Sequence, residues 1–152
     1  MGMYTGLRFK GIIKKEYRED FEKIFTPYEH EDQEVFEWSD SKHEDLFLFG
    51  LKGRSSMVKN TGNLAYMPWE EDGDTSYNGF NKSTGELNFQ CSIKNYDGEI
   101  QAFLNIVPNF TETLQHCEVL YEEWLTGDFY KLKDGELMLA VKAIDNLDEY
   151  GR

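Results

Sequence analysis

The sequence predicts an α+β fold, an antiparallel β-sheet with two main α-helices packed on one face, and three observations predict it. Apolar and polar residues alternate with period two in several short runs, as half-buried strands require. Two Asp-Gly dipeptides, at 97–98 and 134–135, punctuate such runs. Asp-Gly suits a type I′ hairpin turn because both central residues need positive φ. Other stretches space large apolar residues three and four apart, the pattern of a helix buried on one side.

Taken in order, Tyr4 to Ile13 reads as a strand. A helix follows from about Lys15, with Tyr17, Phe21, Ile24 and Phe25 on one face and Pro27 ending it. Phe36 and Trp38 begin another strand, and the unbroken apolar run Leu46-Phe47-Leu48-Phe49 suits a central strand buried on both faces. Residues 53–85 hold five glycines and a proline, keep no period, and read as a long irregular loop that one short strand near Leu64 to Met67 would interrupt.

Beyond the loop, Leu87, Phe89, Cys91 and Ile93 alternate with Asn88, Gln90, Ser92 and Lys94, and Ile100, Ala102, Leu104 and Ile106 alternate in turn. A two-residue turn at 97–98 pairs Ile93 with Ala102, Cys91 with Leu104 and Phe89 with Ile106, which places all six on one face. Pro108 suits a first helical turn, and Asn109 with Glu112 resembles a capping box. Phe110, Leu114, Cys117, Leu120, Tyr121, Trp124 and Leu125 then supply an apolar helical face that Gly127 closes. A second hairpin at Asp134-Gly135 pairs Leu132 with Leu137 and Tyr130 with Leu139. Residues 87–141 thus predict strand, strand, helix, strand, strand.

The chain has 152 residues, the length of one globular domain, and 39% hydrophobic with 15% aromatic residues is enough for a core. Its 29 acids against 16 Lys and Arg give a net charge of -13, which opposes direct binding to nucleic acid or to an anionic membrane, since both need clustered cations. Residues 1–6 lack the basic start and apolar run of a signal peptide, and no stretch reaches the roughly 18 apolar residues of a membrane helix. Gly6 stands where a myristoylation signal needs Ser or Thr. A cytoplasmic location is expected. Cys91 and Cys117 are too few for a disulfide framework and read as small core residues.

Five constellations invite chemistry. His30-Glu31-Asp32 and His43-Glu44-Asp45 carry metal-ligating types, but a hairpin turning near Ser41 would separate them by roughly 33 Å, at about 3.3 Å per residue, so no shared metal site is expected. Asp74 to Gly79 resembles the opening of a calcium loop, yet its twelfth position is Gly85 and the acid comes one place late at Glu86. A polar turn suits it better than a calcium site on Asp72, Asp74 and Asn78. Gly50 to Ser56 lacks the Gly-Lys-Ser/Thr ending of a phosphate loop. His116 and Cys117, neighbours on the expected helix, point in different directions, with the cysteine toward the core. Glu122 and Glu123 beside Trp124 have no second acid placed at a working distance. No catalytic residue and no cofactor are expected.

Charge distribution is more informative. Residues 1–15 carry four cations and no acid, 16–45 carry twelve acids against three cations, 46–66 carry three cations and no acid, and 112–128 carry five acids and no cation. Glu29, Glu31, Asp32, Glu34, Glu37 and Asp40, interleaved with Phe36 and Trp38, suit a surface that docks onto a basic protein, where charge steers encounter and aromatics anchor. The sequence therefore reads as a small acidic non-catalytic binding protein of the inhibitor, immunity or antagonist kind, with a basic macromolecular partner. The alternative is a small-molecule-binding protein or hydrolase with its site in the 53–85 loop, built from Arg54, Tyr66, Trp69, Glu70, Glu71, Asp72, Asp74 and Tyr77. Packed away, the loop aromatics would instead form a satellite core cluster.

Overall fold

In β1 (Tyr4–Ile13) residues Thr5, Leu7 and Phe9 alternate with Gly6, Arg8 and Lys10, so one face of the strand is apolar and the other carries the charges. The computed structural model describes residues 4–25, 67, 69, 79–94, 98–122, 124 and 126–144. A short 3-10 turn (Lys15–Tyr17) leads into α1 (Arg18–Phe25), which buries Phe21 and Ile24. Then come β2 (Gly79–Phe80), β3 (Glu86–Lys94), α2 (Glu99–Phe110), β4 (Thr111–Tyr121), β5 (Asp128–Lys133) and β6 (Glu136–Val141). The strands form one antiparallel sheet in the order β2-β3-β1-β4-β5-β6. The α+β class and the antiparallel sheet are as the sequence predicts.

β1 holds the sheet together because both its edges are paired. On one side Phe9 lies opposite Phe89 and Leu7 opposite Cys91; on the other Phe9 lies opposite Cys117 and Leu7 opposite Val119. These residues share a core with Phe21 and Ile24 of α1 and with Ile100, Phe103, Val107 and Phe110 of α2. Aromatic rings dominate it: Phe9 meets Phe103 edge-on at 5.6 Å, and Phe21 lies 4.9 Å from Phe110. Arg18 fastens the β1–α1 junction, its Nε donating to the carbonyl of Ile13 at 3.0 Å.

Two expectations fail, and they fail together. Residues 100–106 do not form a strand opposite β3; they lie in α2, and β3 pairs with β1 and β2 instead. The stretch satisfies both periods: 100, 102, 104 and 106 alternate, while Ile100, Phe103, Val107 and Phe110 recur at helical spacing, and the second set is the buried one. Burying two phenylalanines outweighs the alternation. Gly98, at φ 76°, uses its left-handed freedom to start a helix rather than to turn a hairpin. Pro108 sits inside α2 near its end, where it removes a hydrogen bond to the carbonyl four residues back, and the helix stops two residues later.

Of the helix expected over 108–127, residues 108–110 end α2 and residues 111–121 form strand β4. Cys117, Glu118, Val119 and Leu120 are all buried, with Cys117 and Val119 in the main core and Leu120 in a second cluster. A strand covered on both faces loses the polar alternation that identifies strands, so its apolar residues fall at helix-like intervals. Asn109 and Glu112 form no capping box; one ends α2 and the other begins β4.

The second hairpin has the expected register, with Leu132 opposite Leu137 and Tyr130 opposite Leu139. Its turn residues Asp134 and Gly135 have φ of 53° and 78°, the positive values of a type I′ turn. The first strand, the helix near Lys15 and strand 87–94 also stand where the sequence places them. The expected strands at 36–38, 46–49 and 64–67, and most of the 53–85 loop, lie outside the described residues.

Candidate functional site

The face of β1 opposite the aromatic core is polar and largely covered. Gly6, Arg8 and Lys10 project there, flanked across the ladders by Ser92, Gln90 and Asn88 on β3 and by Leu120, Glu118 and His116 on β4. Met67 and Trp69 settle on this face because Gly6 leaves them room: a Cβ at Gly6 would come within 2.5 Å of the Met67 sulfur and 2.6 Å of the Trp69 ring. With Leu120 they form the second cluster, and Tyr4 and Trp124 pack beside it.

Arg8 is 9% exposed, low for a cation, and its surroundings account for this. Its guanidinium lies 4.7 Å from the centre of the Trp69 ring, and its Nε donates to Gln90 Oε1 at 2.9 Å. The flat guanidinium thus stacks on an aromatic surface while a neutral amide accepts one of its protons. Next to it in the sheet, Glu118 is also buried, and its carboxylate lies 3.0 Å from His116 Nε2. The His116 ring is held from another side by the edge of Phe129 at 5.6 Å.

His116 and Glu118 stand two apart on a strand and therefore share a face, whereas Cys117 points into the core. The sequence contains this pair as His-x-Glu, but a helical reading of 108–127 sends the two side chains in different directions. Arg8 with Trp69 had no comparable signal, since 61 residues separate them in the chain. Chemically, the carboxylate fixes the orientation of the imidazole ring. Among the described residues no group of three or more His, Cys, Asp or Glu is placed to hold a metal ion.

The thiols follow their burial. Cys91 and Cys117 are both free, and loss of solvation pushes each up to about 12 from an ordinary value of 9.0. At neutral pH both are expected to resist a disulfide reagent in the native protein and to react on addition of guanidinium; fast labelling without denaturant would contradict the packing of β3 and β4. The same shift sets a pH dependence. Because the folded state holds these protons more tightly than the unfolded one, their contribution to stability is complete below about 9 and is lost as pH rises toward about 12.

Charge is redistributed by the fold. Residues 4–13 of the basic stretch form the central strand β1 and residues 112–121 of the acidic stretch lie in its neighbour β4, so Arg8 lies opposite Glu118 and Lys10 opposite His116. The acids of 112–128 therefore make no single helical face: Glu112 is exposed, Glu118 buried and Glu122 half-buried. Around α1 the acids do reach water, with Glu16, Glu19 and Glu22 exposed, although Asp20 is buried. Glu22 forms an exposed ion pair with Lys82 at 3.6 Å, a contact of small energetic weight.

Of the sequence-predicted site residues, Trp69 is the one inside the described residues, and it is buried in the second cluster. Glu29, Glu31, Asp32, Glu34, Phe36, Glu37, Trp38 and Asp40 lie outside them, as do Arg54, Tyr66, Glu70, Glu71, Asp72, Asp74 and Tyr77. The two His-Glu-Asp triplets and the 50–56 stretch are outside as well. Of the calcium-like stretch, Gly79 opens β2 and Glu86 opens β3, where it pairs with Ile12. No helix among the described residues is long and apolar enough to cross a membrane. The chain matches no protein-family model, no curated protein and no solved structure.

Proposed function

We propose that this chain is a small, acidic, non-catalytic binding protein that engages a basic macromolecular partner, in the manner of an inhibitor, immunity or antagonist protein. It would act as a single cytoplasmic domain over residues 1–152, without direct contact to nucleic acid. The observation that carries the reading is the exposure of three glutamates at and before α1, beside the exposed Lys15 and Lys23. The cation Arg8 is buried in the sheet, whereas Glu16, Glu19 and Glu22 are exposed where the most acidic part of the sequence begins. The docking surface would run from these three acids through Glu29, Glu31, Asp32, Glu34, Glu37 and Asp40, with Phe36 and Trp38 as anchors.

The test is capture from host lysate at low and high salt, with the variant Glu16→Lys/Glu19→Lys/Glu22→Lys alongside. A basic protein should be retained at low salt, released at high salt and lost by at least about tenfold in the variant, because rim charges govern encounter. Equal capture by both proteins, or none by either, would reject the reading.

A second reading, a small-molecule binder or hydrolase with its site in the 53–85 loop, is favoured by one contact. Trp69 lies within residues 53–85 and rests on Arg8, so a site there would have Arg8, Gln90 and the His116–Glu118 pair as its floor. A ligand that binds only the folded chain must raise its melting temperature; a broad metabolite panel without any shift would dismiss this reading.

A further inference from the structure

We propose that β6 is a self-association edge, on which β6 of a second copy pairs antiparallel about a two-fold axis at Leu139. Among the described residues β6 ends the sheet, with β5 as its strand neighbour. An edge strand offers a row of backbone N–H and C=O groups to another strand, and proteins commonly protect such edges with charge or cover. This one is apolar: Met138, Leu139, Val141 and nearby Ile144 are 44%, 48%, 56% and 48% exposed.

The residue order selects the occupant. Antiparallel pairing about Leu139 sets Leu137 against the second copy's Val141, Met138 against its Ala140, and Glu136 against its Lys142. Every apolar residue then meets an apolar residue, and each end is closed by an opposite-charge pair, an arrangement that stabilises antiparallel neighbours. The charge of the hairpin does not oppose this. Although the chain carries -13, residues 128–142 hold three acids and three lysines, so the edge is locally neutral. The β5–β6 ladder is regular from Glu136 to Leu139, and its one irregularity lies between Leu139 and Val141, inside the segment that would pair, so the strand must straighten at Ala140 for Leu137 to meet Val141. Two-fold symmetry uses each contact twice, as isologous interfaces do.

A single paired edge buries little area, so the dimer should be weak, with a dissociation constant on the order of micromolar to hundreds of micromolar. Sedimentation equilibrium of the full chain across about 1 µM to 1 mM should show the mass rising from one chain toward two. Leu139→Lys sets two lysines face to face on the axis and should weaken association by at least about tenfold. Lys142→Glu should weaken it several-fold, and adding Glu136→Lys should restore it, since the exchanged charges again oppose each other. Thermal melts of the dilute variants confirm that each monomer is folded. A single-chain mass at every concentration overturns the proposal and leaves the edge to a strand of a different protein. A dimer that survives Leu139→Lys and ignores the charge exchange overturns it equally, because association then uses another surface.

Discussion

Phe9→Ala should lower the free energy of unfolding by about 3–5 kcal/mol, the usual loss when a fully buried phenylalanine is truncated. Small domains are typically stable by only about 5–15 kcal/mol, so the variant should be close to unfolding at physiological temperature. The position explains the size. Phe9 is fully buried on the central strand, and its ring meets Phe89 at 5.9 Å, Phe103 at 5.6 Å and Phe110 at 6.3 Å. It therefore links both neighbours of the ring cluster, β3 and α2, and the hole left by alanine lies between elements that cannot close on it without shifting their own pairing. Phe9→Leu, which keeps most of the volume, should cost far less, about 1–2 kcal/mol. Urea unfolding of the three proteins decides the matter. A loss below about 1 kcal/mol for alanine would mean that the rings do not pack around Phe9.

Trp69→Ala is the second large effect, again about 3–5 kcal/mol. Trp69 is 5% exposed, fills the space above Gly6 and lies over Arg8, so truncation both opens a cavity and removes the aromatic surface on which a buried cation rests. The two contributions can be separated. A double-mutant cycle with Arg8→Ala should return a coupling of about 0.5–2 kcal/mol for the ring and the guanidinium, and zero coupling would deny the contact. Gly6→Val should reproduce the loss from the other side, since any Cβ at residue 6 would collide with both Met67 and Trp69. Both experiments bear on function, because they ask whether Trp69 is anchored to the polar sheet face or stands apart from it.

Pattern and fold part most clearly at the Asp-Gly dipeptides 97–98 and 134–135. Asp134-Gly135 closes a hairpin because the residues on either side alternate and have no stronger alternative. At 97–98 the same dipeptide precedes a stretch that also carries a helical stripe, and there Phe103, Val107 and Phe110 find the rings of Phe9, Phe21 and Phe89 within reach only if the stretch is helical. Local preference was evenly matched, and distant partners decided between the two. Strand β4 carries the same lesson in reverse: its residues look helical because both faces of the strand are covered, by the main core on one side and by Met67 and Trp69 on the other.

The candidate site was less legible than the fold. His116 and Glu118 could be paired only once their segment was known to be a strand, and Arg8 could be assigned to Trp69 only once Gly6 was known to lie beneath the ring. Alternation alone determined β1, β3 and the β5–β6 hairpin, the helical stripe determined α1, and composition determined the strong negative charge. The tertiary structure alone decided the state of residues 99–121, the strand order, and the register that sets Arg8 opposite Glu118. The physical reason is range: period and turn chemistry act between residues a few places apart, whereas burial and charge pairing depend on which segments meet, and no short window of sequence contains both partners.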